Sequence, residues 1–501
     1  MDFQSIVVAA LLAWTLVQAL CSLAKSRNKS VGKKFPPGPV PLPVIGNLHL
    51  LGGKPHKSLA RLAQKYGPVM KLKLGMKSTV VISSSAIAKE ALQKQDLAFS
   101  TRSIPDALRA NNHSQFSVVW LPVASRWRAL RKIMNSNIFS GNRLESNQQL
   151  RTKKIEELII YCQKSSEVGE AVDIGRAAFR TTLNLLSNTI FSKDLTHPYS
   201  DSAKEFRDLV WNMMLEAGKP NLVDYFPFLE KFDPQGIRRR LTCHFTKVLA
   251  LFQGLIDERL EERKVMMGNR NVDVLDSLLN ISQETPEEIA DTTHILHLCL
   301  DLFAAGTDTS SSTLEWAMAE LLRNPKTMDK VQAELTDVIG RGKPIHEAHV
   351  SRLPYLQCIL KETLRMHPPI PFLIPRKVEQ DVNLGGHTIS KGSEILVNVW
   401  AIGHDSSIWE NPLIFNPERF WNLKIDVRGQ DFEHIPFGAG RRICPGLPMA
   451  MRMVPVMLGS LLNSFQWKLE CDIAPNDLDM EEKFGLTLAK VHPLRAIPIP
   501  F

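Results

Sequence analysis

Near the carboxyl end stands Phe437-Gly438-Ala439-Gly440-Arg441-Arg442-Ile443-Cys444-Pro445-Gly446, followed by an apolar, methionine-rich run at 447–465 that reads as a helix. A cysteine is thereby presented on a glycine-rich loop at a helix start. The glycines let backbone approach a flat ligand closely, and the helix amino terminus with its free amides favours thiolate over thiol. Soft sulfur in that form suits iron. Upstream, Ala304-Ala305-Gly306-Thr307-Asp308-Thr309-Ser310 places small residues, an acid and hydroxyls in the middle of a long helical pattern. Gly306 costs about 1 kcal/mol against alanine there, and Asp308 and Thr309 compete for backbone hydrogen bonds. This is a poor way to fill a core; the plain alternative is a kinked core helix whose polar groups are satisfied.

The remaining cysteines, Cys21, Cys162, Cys243, Cys299, Cys358 and Cys471, are scattered without CxxC spacing. They imply neither a disulfide framework nor a zinc site and read as small buried hydrophobes. Hydrophobic residues at 44% and charged residues at 23% describe a folded body with a sizeable core and exclude global disorder. The net charge of +9 suits nucleic acid, an anionic membrane or an acidic protein. No zinc-finger spacing or RNA-binding aromatic motif is present, so the basic clusters at 25–34 and 238–240 read as membrane-facing or solvated surface, and no nucleic acid partner is expected.

The elements that must position these groups begin with IVVAALLAWTLVQALCSLA at residues 6–24. At about 1.5 Å rise per residue this uncharged stretch can just cross a bilayer core of about 30 Å. Only Asp2 precedes it, whereas Lys25, Arg27, Lys29, Lys33 and Lys34 follow, which argues against a cleaved signal peptide and puts the body in the cytosol. Next comes PPGPVPLPVIGN at 36–47, where fixed proline angles favour a stiff extended spacer. The expected organisation is a membrane anchor at 1–24, a basic patch and proline-rich hinge at 25–47, and one catalytic domain at 48–501.

Helical patterns dominate that domain, while β-branched runs at 79–83 and 395–399 suggest a minor sheet, so the class is mainly α with small β-sheets. Thr285-Pro286-Glu287-Glu288 reads as a helix start with N-cap, first-position proline and capping-box Glu. Nothing breaks the pattern before Arg323-Asn324-Pro325, which predicts about 38 residues, or about 57 Å, through the core.

FGAGRRICPG matches the cytochrome P-450 signature FxxGxRxCxG at every fixed position, and the chain resembles that family over essentially its whole length. The resemblance implies the cytochrome P-450 fold, a haem b whose iron is held by Cys444, and electrons from NADPH through a separate NADPH-cytochrome P-450 reductase. The chain has no flavin or GxGxxG region of its own. By the same resemblance Glu362-Thr363-Leu364-Arg365 is the ExxR element, which with Arg419 forms a buried network serving haem loading rather than chemistry. Trp127 and Arg131 form the WxxxR element and contact a haem propionate, as do Arg102, Arg376 and Arg442, with Phe437 also at the haem. Thr309 is implied as the hydrogen-bond partner of dioxygen and Asp308 as a proton relay.

Finer resemblance runs to plant microsomal members that hydroxylate monoterpenols. It is carried by Ser117-Val118-Val119-Trp120-Leu121-Pro122-Val123-Ala124-Ser125, by AGKPNLVDYFPFLEKFDPQG at 217–236 and by APNDLDMEEKFG at 474–485. It implies a pocket lined by Phe116, Val119, Asp301, Ala305, Ile370, Phe372, Phe484 and Leu486, whose mostly apolar walls suit a small terpenoid alcohol. The implied reaction is hydroxylation of a monoterpenol such as geraniol at C8, on the cytosolic side of the endoplasmic reticulum membrane. Related plant enzymes hydroxylate phenolics, diterpenes or alkaloids, which stay open as alternatives. Met366, Ser390 and His404 depart from the usual plant pattern without touching the cysteine loop. A haem-thiolate isomerase or dehydratase would typically lack the acid–threonine pair, and a non-catalytic haem binder would not need one.

Overall fold

Extended segments shape the amino-terminal part of the computed structural model, which describes residues 34–195, 201–265, 273–284 and 291–501. The anchor expected at 6–24 lies outside the described residues, as does the basic patch up to Lys33. Among the described residues no helix is long and apolar enough to cross a membrane. The proline-rich segment lies against the first strand: the Lys71 amide donates to Pro37 O at 2.8 Å, and Asn47 Oδ1 accepts from the Lys73 amide at 2.8 Å.

Four strands form the main sheet, β1 (Val69–Leu74), β2 (Lys77–Ile82), β3 (Arg376–Lys377) and β4 (Glu394–Val397). β1 and β2 form an antiparallel hairpin, β2 runs parallel to β4 with Val80 opposite Ile395, and β3 closes the other edge of β4 antiparallel. The two β-branched runs singled out in the sequence are thus each other's neighbours, pairing buried Val and Ile across the strands. A second sheet joins Val172–Asp173, Arg495–Pro500 and Phe465–Leu469. A short hairpin pairs β5 (Glu482–Lys483) with β6 (Ala489–Lys490).

The principal helices are α1 (Pro55–Tyr66), α2 (Ser125–Ile133), α3 (Ile174–Phe191), α4 (Asp201–Ala217), α5 (Ile237–Val265), α6 (Thr292–Arg323), α7 (Pro354–Met366) and α8 (Leu447–Ser464). The long helix α6 is shorter at its start than the sequence predicts: it spans 32 residues and is capped by Asp291, whose side chain accepts from the His294 amide. An acid one position before the first helical residue satisfies an orphan amide as well as the upstream signal would, and Thr285-Pro286-Glu287-Glu288 lies outside the described residues. The end at Arg323 is as expected, with Pro325 opening the next helix.

α6 runs through the core, packed most extensively against α3 and also against α5, α7 and α8. A Cβ on Gly306 would lie 3.0 Å from Leu186 Cδ1, so the glycine allows the close approach of α3. Phe303 of α6 meets Phe252 of α5 at 5.0 Å and Phe191 of α3 at 6.1 Å between ring centroids, an aromatic knot that fixes these helices together. The basic cluster at 238–240 is partly neutralised, Arg238 pairing with Asp106 at 2.7 Å and Arg240 with Glu216 at 3.0 Å.

Candidate active site

A cavity of about 1000 Å³ lies between α6, the Cys444 loop, the loop before α2 and the β5–β6 hairpin. Cys444 is half-buried on its wall. Its amide donates to Phe437 O at 3.0 Å, which closes the loop, and the Gly446 and Leu447 amides at the start of α8 donate to its sulfur. Burial pushes the thiol up; these amides and Arg131 pull it down without cancelling the rise. A cation held at the sulfur favours the thiolate over the thiol. Gly440, at φ +66°, rests on the Leu92 carbonyl, where a Cβ would lie only 2.0 Å away, and Arg441 pairs with Asp96 at 2.8 Å. The loop is thereby clamped in place from outside.

Arg102, Arg131, Arg376 and Arg442 all line the cavity, and none has a carboxylate partner among the described residues. Their hydrogen bonds go to backbone carbonyls: Arg102 to Ile374, Arg131 to Ile443, Arg376 to Phe99, and Arg442 to Ser100, Val118, Val119 and Leu121. The buried Nε atoms of Arg102 and Arg376 have no partner among the described residues. Burial and then mutual repulsion push Arg102 well down, and Arg376 and Arg442 to about 10. Four crowded guanidinium groups facing one cavity fit a flat dianion, and the two propionates of a haem supply that charge. Trp127 differs from expectation: its Nε1 donates to Val118 O at 3.1 Å and its ring carries Arg442 at 4.8 Å, so its polar atom is used to shape the loop.

On α7 the buried Glu362 receives Arg365 at 2.7 and 2.8 Å, Arg419 Nε at 2.9 Å and the Asn416 amide at 2.9 Å. Arg365 also reaches the carbonyls of Gly403 and Pro412. The geometry is that of the network the sequence implied, a buried charge set with every partner filled. In the middle of α6, Thr309 reaches the cavity and its Oγ1 donates to Ala305 O at 2.7 Å. Asp308 does not reach the wall; its carboxyl accepts from Thr487 Oγ1 of the β5–β6 hairpin, and burial raises it while that bond lowers it.

A model of the cytochrome P-450 family matches residues 36–492. The chain belongs to the cytochrome P-450 family. Geraniol 8-hydroxylase of Catharanthus roseus is 67% identical over 498 residues, covering 99% of both chains. Geraniol 8-hydroxylase of Swertia mussotii is 65% identical over 499 residues, covering 100% of this chain and 99% of its own. A zebrafish cytochrome P-450 solved with progesterone superposes with a TM-score of 0.77 at 26% identity, covering 89% of this chain and 99% of its own. As a cytochrome P-450 the chain is a monooxygenase with a haem-thiolate cofactor, fed with electrons by a reductase and acting on a small hydrophobic substrate.

In this P-450 the side walls of the cavity carry Val119, Ala305, Ile370, Phe372, Phe484 and Leu486, and Phe437 lies at the cysteine loop. Phe372 and Phe484 meet edge to face at 5.7 Å. Phe116 is not on the wall: its ring stacks on His297 at 5.0 Å, outside the cavity. Asp301 touches the cavity, but its carboxyl is spent on Ser117 Oγ and the Val118 amide, so it orders the loop rather than offering a free polar anchor. Sequence reading missed Thr487, as well as Met213 and Met214 of α4, which line the cavity from a helix with no recognisable motif.

Proposed function

We propose that this cytochrome P-450 hydroxylates a monoterpenol, geraniol at C8, with Cys444 holding the haem iron. The observation that carries the reading is the apolar wall of Val119, Ala305, Ile370, Phe372, Phe484 and Leu486 facing the Cys444 sulfur across one cavity. Support for the substrate comes from the two full-length relatives that are geraniol 8-hydroxylases. The overall change takes a C–H bond, O2, two electrons from NADPH and two protons to an alcohol and water. When bound, the haem supplies activation of dioxygen.

The chain's own residues bind, orient and protonate. Arg102, Arg131, Arg376 and Arg442 would hold the propionates, and Trp127 keeps Arg442 and the Val118 carbonyl in register. Glu362, Arg365 and Arg419 keep the segment at 403–419 folded against α7, which would let the haem load. Phe437 shields the cysteine loop, and the apolar walls exclude water and leave the terpenol few orientations. Asp308 carries a proton inward, and Thr309, whose hydrogen rests on Ala305 O, keeps its oxygen lone pairs available toward the cavity.

We place the body on the cytosolic face of the endoplasmic reticulum membrane, with an anchor at 1–24, a basic and proline-rich hinge at 25–47 and the catalytic domain at 48–501. Support comes from the uncharged stretch at 6–24 and from exposed apolar side chains on the amino-terminal and 222–232 segments, Phe35, Val40, Leu42, Phe228 and Phe232 among them.

The test is the carbon monoxide difference spectrum of the dithionite-reduced protein in membranes, followed by titration with geraniol. A strongly red-shifted Soret band and a low-to-high-spin shift on adding geraniol are expected. A red-shifted band without a terpenol response keeps the enzyme class and removes the substrate; absence of the band in haem-loaded protein removes the assignment of Cys444.

A further inference from the structure

The acid of α6 reaches the cavity through another residue. Thr487 Oγ1 donates to Asp308 Oδ2 across 179 positions of sequence, and Thr487, unlike Asp308, lies on the cavity wall. Thr487 is buried in the turn between β5 and β6. That turn is fastened along α6: one helical turn beyond Asp308, Ser312 Oγ donates to Leu488 O at 2.9 Å, and one turn further Trp316 Nε1 donates to the same carbonyl at 3.0 Å. Upstream in the same turn, Phe484 and Leu486 form part of the apolar wall. The other side of the turn is held by the end of α4, where a Cβ on Gly218 would lie 2.3 Å from the Leu486 amide nitrogen. One short segment therefore carries both pocket wall and the partner of the acid, and it is fixed from two sides.

We propose that Thr487 is the positioning residue for Asp308 and that its hydroxyl links the carboxyl to the cavity, so that protons reach the reaction by way of this hairpin. The inference rests on the proposed relay role of Asp308. With Asp308 ionised, Thr487 donates to it. With Asp308 protonated the pair reverses: Oδ2 donates, and the Thr487 hydrogen turns to an acceptor in the cavity. As that hydrogen leaves, the proton on Oδ2 replaces it; the hydroxyl is unchanged, Asp308 becomes carboxylate, and solvent reprotonates it. Burial of the carboxyl, which raises its affinity for a proton, suits it to carry one. Phe484 and Leu486, two positions apart on the same turn, make this link sensitive to what fills the pocket.

The test compares Thr487→Val, Thr487→Ser and Asp308→Asn with the full-length parent, reconstituted with reductase and given geraniol. Thr487→Val keeps the volume and loses the hydroxyl; Thr487→Ser keeps the hydroxyl. Product per NADPH is expected to fall at least threefold in Thr487→Val and in Asp308→Asn, with a larger solvent deuterium isotope effect in both, while Thr487→Ser stays within twofold of the parent. Peroxide-driven turnover, in which the oxidant supplies both hydrogens of the water formed, is expected to fall less in Thr487→Val than the product yield per NADPH does. Loss in Asp308→Asn with full yield in Thr487→Val overturns the inference and leaves Asp308 standing. Full yield in Asp308→Asn overturns both. Equal loss in Thr487→Ser, or equal loss with peroxide, assigns Thr487 to packing and also overturns it.

Discussion

Asp301 holds Ser117 to α6: Ser117 Oγ donates to Asp301 Oδ1 at 2.6 Å, and the Val118 amide donates to Oδ2 at 2.9 Å. One buried carboxyl thus sets the loop that puts Val119 on the cavity wall and whose Val118 carbonyl receives Trp127 and Arg442. Asp301→Ala strands both donors, at a cost of about 2–4 kcal/mol in stability. Calorimetric melting is expected to show that loss together with at least threefold weaker geraniol binding. A variant that melts like the parent would show that the loop is held elsewhere.

The arginine cluster predicts opposite effects with and without haem. Arg102→Met keeps an apolar stem of similar length and removes one of four repelling buried charges, so the haem-free protein is expected to melt no lower than the parent. In the loaded protein a charge-assisted bond to a propionate is lost, and haem transfer to apomyoglobin is expected to be about tenfold faster or more. Unchanged haem retention would remove Arg102 from the propionate set.

His297 gives α6 an acid-sensitive point. Its Nδ1 lies 2.9 Å from His113 Nδ1, and both rings sit near Asp301, with His294 and Asp291 further toward the helix start. Burial first, and then His113, push His297 from 6.5 down to about 4. The folded state therefore holds fewer protons than the unfolded state between these values: this contribution to stability is complete above pH 6.5 and is lost as the pH falls toward 4, by up to about 1.4 kcal/mol per pH unit. His297→Leu is expected to flatten the melting temperature across that window relative to the parent. Parallel curves would assign the acid limb to other groups.

Gly440→Ala tests the clamp on the cysteine loop. The new Cβ would lie 2.0 Å from the Leu92 carbonyl in a left-handed backbone conformation, so the loop must move and take Cys444 with it. Expression with retained far-ultraviolet circular dichroism but less than a tenth of the parent's red-shifted carbon monoxide band is the expected outcome. A normal band would mean that the loop tolerates the shift.

The sequence was most legible where chemistry is local. Cys444, Arg442 and the glycines share one short loop, and the family resemblance named the α7 network, whose Glu362 and Arg365 sit one helical turn apart. The 79–83 and 395–399 runs announced strands by β-branched content, and the structure pairs them. The start of α6 was misread because Thr285-Pro286 and Asp291 both carry cap chemistry, and sequence alone does not rank them. The family resemblance implies Phe116 on the wall, but a stacking partner on α6 turns its ring away.

What the sequence by itself determined is the cysteine loop, the helical body with a minor sheet, and the presence of an acid and an alcohol in the middle of α6, because periodicity and adjacent residue types suffice for each. Only the tertiary structure decided that Asp308 faces Thr487 rather than the cavity, that Asp301 is consumed by the Ser117 loop, and that the four arginines have no carboxylate partner among the described residues. Those relationships join positions far apart in the chain, and a side chain's partner there is set by how helices and hairpin pack, which no local pattern of residues encodes.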